Sequence, residues 1–105
     1  MSTDYFIEIS PEGPLPAYYL VAEHLWGPGC NIDSDGDSKT PDDRHWTELT
    51  LTLRTTPGLR VDVDPVSNNP LVLVVRSENE TLCVSTASYI ISVAGGSIGP
   101  TVCKE

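Results

Sequence analysis

The sequence predicts one small α+β domain over residues 1–105, an antiparallel sheet of about four strands packed by one or two helices. Three patterns carry that expectation. Leu49, Leu51 and Leu53 alternate with Glu48, Thr50, Thr52 and Arg54, the period of two that gives a strand one dry and one wet face. Leu71 to Val75 are apolar without interruption, as expected of a central strand covered on both sides. Cys83, Ala87, Ile90, Ile91 and Ala94 recur at helical spacing.

Taken in order, "DYFIEIS" at residues 4–10 is aromatic and β-branched and runs into Pro-Glu-Gly-Pro, a strand meeting a loop. "PAYYLVAEHLW" starts with Pro16 and stops at Gly27-Pro28-Gly29, punctuation that favours a helix. The bulk of Tyr18, Tyr19 and Val21 leaves a strand open there. After an aspartate-rich loop, "HWTELTLTLRTT" forms the next strand, and Pro57-Gly58 turns it into "LRVDVD". There Leu59, Val61 and Val63 share one face and Arg60, Asp62 and Asp64 the other, so the pair reads as an antiparallel hairpin. Pro70 precedes the strand "PLVLVVRSE". Ser77 and Glu80 have the spacing of a capping box ahead of "TLCVSTASYIISVAGG", whose Gly95-Gly96 ends the helix. "SIGPTVCKE" adds a short strand or lies on the surface.

Fifteen acidic residues against six basic ones give a net charge of -9. Such a field repels phosphate backbones and anionic membranes and attracts basic partners. Direct nucleic-acid and membrane binding are therefore disfavoured. "MSTDYFIEIS" lacks the character of a signal peptide and no stretch is apolar over the length of a membrane span, so a soluble, cytoplasmic protein is expected. Cys30, Cys83 and Cys103 are odd in number and lack CxxC or Cys/His spacing, which suits free thiols better than a disulfide framework or zinc site. His24 and His45 accompany no recognisable nucleophile motif, and the glycines after residue 94 follow a helix where a phosphate loop would open one. No enzyme activity, catalytic residue or cofactor is expected.

The stretch "CNIDSDGDSKTPDDRHW" packs five aspartates into residues 33–43. Asn31, Asp33, Asp35, Gly36 and Asp42 fall on positions one, three, five, six and twelve of an EF-hand calcium loop. Asn at the first position, the short Asp at the twelfth, Pro41 near the exit, and glycine and strand signals where two helices should flank the loop all depart from that template. An acidic recognition loop fits better, and no metal ligand is assigned. The expected partner-binding set is Asp33, Asp35, Asp37, Asp42 and Asp43, extended by Trp46, Glu48, Asp62 and Asp64. Trp46 also suits a second role, anchoring the end of the loop on the core.

"HWTELTLTLR", "PLVLVVRSE" and "STASYIISVAGGSI", together spanning about residues 45–98, resemble the pattern of small bacterial immunity proteins. That resemblance implies a cytosolic inhibitor that binds the catalytic domain of a cognate protein toxin. An acidic inhibitor suits a toxin with a basic active-site surface. The chain departs from well-known nuclease inhibitors in lacking paired acidic helices. Two alternatives stand beside this reading: a phage-encoded inhibitor or nucleic-acid mimic, and a calcium-binding module using residues 31–42.

Overall fold

The computed structural model describes residues 4–40, 42–56, 58–68 and 70–104. Its elements are β1 (Asp4–Pro11), α1 (Tyr18–Trp26), β2 (Ile32–Gly36), β3 (Leu49–Leu53), β4 (Arg60–Asn68), β5 (Leu71–Ser77), α2 (Glu80–Ala94), β6 (Gly96–Ile98) and β7 (Val102–Lys104). The seven strands make one antiparallel sheet in the order β2-β3-β4-β5-β1-β6, with β7 also paired to β1. β6 runs beside residues 9–11 and β7 beside residues 4–6, so the two share one edge of β1.

Alternation decides what lies inside. Ile7 and Ile9 of β1, Leu49 and Leu51 of β3, Val61 and Val63 of β4, and Leu73 and Val75 of β5 are buried in one cluster. Val21 and Ala22 of α1 and Cys83, Ala87 and Ile90 of α2 join it, so both helices cover the same face of the sheet. Each large aliphatic side chain sealed there contributes about 1.5–3 kcal/mol relative to exposure. The expected α+β architecture is therefore the observed one.

Residues 18–26 are helical, as the punctuation favoured, and the helix ends at Gly27. The ring of His24 stacks on Tyr89 of α2 with centroids 4.4 Å apart, which ties the two helices together across their outer surface. α2 starts two residues later than the expected box. Its cap is Asn79, whose Oδ1 accepts the Leu82 N–H at 3.1 Å. Ser77 remains in β5, where its hydroxyl donates to the Arg60 carbonyl at 2.6 Å and accepts the Asn79 N–H at 3.1 Å. The serine thus locks strand to strand, and the asparagine takes the orphan helix amide.

The seven strands exceed the expected four, and the tail supplies two where the sequence allowed one short strand. β2 arises within the aspartate-rich stretch, and β6 and β7 are three-residue pieces of the tail. Gly96 begins β6 with a positive φ of 110°, where a Cβ would collide with the Ser10 carbonyl. β4 is also longer than its alternating core, and its pairing with β5 shifts between Pro65 and Ser67. Pro65 has no N–H to give a ladder, so an irregularity there is expected. β5 is central, between β4 and β1, but only one of its faces is sealed, since Val72 and Val74 remain half-exposed.

Cys30, Cys83 and Cys103 are free thiols. Burial, aided by the charge of Glu80, pushes the Cys83 thiol up to about 11, and its Sγ lies 3.4 Å from the Val75 carbonyl oxygen. Among the described residues no helix is long and apolar enough to cross a membrane. Pro41 and Pro57, expected to stiffen the loop exit and to turn the β3–β4 hairpin, lie outside the described residues.

Candidate functional site: the open face of the sheet and its acidic edge

The face opposite the helices is built from the other half of each alternation. Strand register lines up Asp35, Thr50, Asp62, Arg76, Phe6 and Val102 across the sheet. On one side of that row run Asp33, Thr52 and Arg60. On the other run Asp64, Val74 and Glu8. The edge strand β2 therefore brings two aspartates of the supposed loop onto the same face as Asp62 and Asp64.

These acids are not equivalent. Asp62 is the most enclosed, with a side chain only 13% exposed. Its Oδ1 accepts the Thr50 hydroxyl at 2.7 Å and an Arg60 guanidinium N–H at 3.1 Å, while the Arg76 guanidinium lies 3.7 Å from Oδ2. A carboxylate taken out of water needs such partners. In return, the hydrogen bond from Arg60 to Asp62 and the charge beside it raise the Arg60 pKa above its usual value. The cleft beside this cluster, about 360 Å³, is lined by Arg60, Asp62, Arg76 and Ser77 with Asp4 and Glu78. Asp62 thus orients two arginines and is no free acid for a partner.

Asp33 pairs with Arg54, whose Nη2 lies 2.7 Å from Oδ1. With the two side chains 66% and 54% exposed, that pair contributes at most about 1 kcal/mol. Asp35 is exposed, and its Oδ1 accepts the Gly36 N–H at 2.9 Å. Gly36 has no room for a Cβ against the Glu48 carbonyl, so β2 lies tight on the start of β3.

Asp37 has a structural task. Its Oδ1 accepts the backbone N–H groups of Thr47 at 2.8 Å and Glu48 at 2.9 Å, and its Oδ2 accepts the Thr47 hydroxyl at 2.6 Å. Burial pushes its pKa up, but the Thr47 hydroxyl and the two amides outweigh that, and the carboxyl sits below the ordinary aspartate value. Asp43 behaves alike: N–H groups of Lys39 at 3.0 Å and His45 at 2.8 Å hold it low. Both staple the crossing from β2 to β3. Asp42 and Glu48 are exposed, and Asp64 is half-exposed.

One expectation needs correction, and one alternative loses support. Trp46 is 1% exposed and its indole N–H donates to the Pro16 carbonyl at 2.8 Å, so it anchors the loop on the core and offers nothing to a partner surface. The calcium template also fails as geometry. Residues 32–36 are an extended strand paired to β3, with Asp33 turned to Arg54 and Asp37 to Thr47. Among the described residues no three His, Cys, Asp or Glu side chains gather as a metal would need.

Sequence reasoning missed the apolar part of this face. Phe6, Glu8, Val74, Gly99, Pro100 and Val102 line a cleft of about 370 Å³. The unbroken apolar run of β5 was its signal, because a strand with one wet face should have alternated. No protein-family model matches this chain, and no curated protein or solved structure matches it.

Proposed function

We propose that the chain is a non-enzymatic immunity protein that binds and inhibits a cognate antibacterial toxin in the cytoplasm through the acidic edge and open face of its sheet. The observation that carries this reading is the placement of Asp33, Asp35, Asp64 and Glu8 on the helix-free face, in a chain of net charge -9. A basic active-site surface would be drawn to that face and oriented by it. The state of the reactive side chains favours binding over chemistry. Cys83 is buried with a raised pKa, His24 is stacked on Tyr89, and Asp62 is saturated by Thr50 and arginine.

Co-expression with the toxin-like product of a flanking gene tests the reading. Wild type rescues growth and co-purifies with the toxin, whereas a triple variant Asp33→Asn, Asp35→Asn, Asp64→Asn keeps its melting temperature and rescues poorly. Asp37 is left intact because its loss would loosen the fold. A wild-type chain that neither binds nor protects refutes the proposal.

A further inference from the structure

β5 is apolar on both faces, and the fold covers one of them. Leu73 and Val75 are buried against the helices, while Val72 and Val74 stay half-exposed on the other side. Phe6 of β1, diagonal to Val74, and Val102 of β7, directly across from Phe6, continue that patch, and Val102 is 44% exposed. Arg76 stands directly across from Phe6, with its guanidinium 3.7 Å from Asp62 Oδ2. The rim is acidic, since Val74 stands between Asp64 and Glu8 in one row.

The geometry points to the open sheet face centred on Val74 as a docking surface for a basic protein segment, one that lays an apolar side chain into the Phe6, Val74 and Val102 cleft and sets Lys or Arg against Glu8 and Asp64. This rests on the binding-protein reading above and adds the apolar centre that the acids alone do not supply. An apolar centre within a polar rim is how interfaces concentrate their affinity and exclude water. Charge selects the occupant. Two copies stacked face to face would crowd the acids of two chains, each of net charge -9, and that repulsion disfavours a homodimer. A basic segment gains from the same field.

The test is a titration of the full chain, followed by nitrogen–proton correlation spectra, with a synthetic extended peptide carrying leucine between lysines. Its twin carries glutamates in place of the lysines. The lysine peptide is expected to move the amides of Glu8, Val74, Gly99 and Val102, with shifts about fivefold smaller for the twin at low salt. Val74→Ser is expected to abolish the response, and the pair Glu8→Gln, Asp64→Asn, which leaves the cleft intact, to weaken it. Shifts confined to residues 32–36 would overturn this placement while leaving the binding reading in force. Equal response to both peptides would overturn the basic partner. Dimerisation that perturbs the same amides without peptide would give the face to a second copy. No shift from either peptide would overturn the docking surface, whereas failure of the toxin rescue would overturn the function.

Discussion

The two faces of one sheet divide the labour of this molecule. Neighbouring residues on the same strand, Val74 and Val75, show it: Val75 is sealed under the helices, and Val74 lies half-exposed between Asp64 and Glu8. The covered face is aliphatic and holds the fold by burial. The open face mixes an apolar centre with paired and unpaired charges, so its stability is set by local hydrogen bonds and its free acids are spare. Substitutions should therefore cost stability on one face and binding on the other.

The largest effect is expected at the point where loop meets core. Trp46→Ala removes a buried ring and leaves the Pro16 carbonyl without its donor, a loss of about 3–5 kcal/mol in urea denaturation. Next comes the pair that defines the comparison. Val75→Ala should cost about 2 kcal/mol, and Val74→Ala less than about 1 kcal/mol, because only the first opens a cavity in a packed interior. Equal losses would break the division between faces.

Asp37→Asn should cost about 1 kcal/mol, since the single amide oxygen accepts the Thr47 and Glu48 N–H groups more weakly than a carboxylate, the NH2 in place of Oδ2 cannot accept the Thr47 hydroxyl, and solvent screens the difference. The pH dependence has a definite sign. The folded pKa values of Asp37 and Asp43 lie below the ordinary value of 3.8, so their contribution is complete above that pH. It is lost as pH falls through the depressed folded values. Thermal melting between pH 7 and pH 2 should show this acid limb reduced in Asp37→Asn. Smallest of all, Asp33→Asn should change stability by no more than about 0.5 kcal/mol, because its ion pair with Arg54 is open to water.

Much of the covered face was legible in the sequence, because β3, β4 and α2 obey periods that burial enforces. β2 was not, since "IDSDG" has a single apolar residue and its register is set by backbone pairing with β3. The roles of the aspartates were hidden for a related reason. Asp37 finds Thr47 and Glu48 across the strand crossing, and Asp62 finds Arg76 on a neighbouring strand. Close spacing in the chain thus concealed two stapling acids, one enclosed acid and several exposed ones. Trp46 likewise read as anchor or contact until its indole was seen to reach Pro16.

Under the proposed immunity reading, the most direct test of the division between faces is calorimetric titration of the toxin-like product of a flanking gene into wild type and Val74→Ser. The account predicts a Val74→Ser protein that unfolds within about 1 kcal/mol of wild type yet binds about tenfold more weakly. Equal affinity, with stability unchanged, would contradict it and leave the open face without its assigned role.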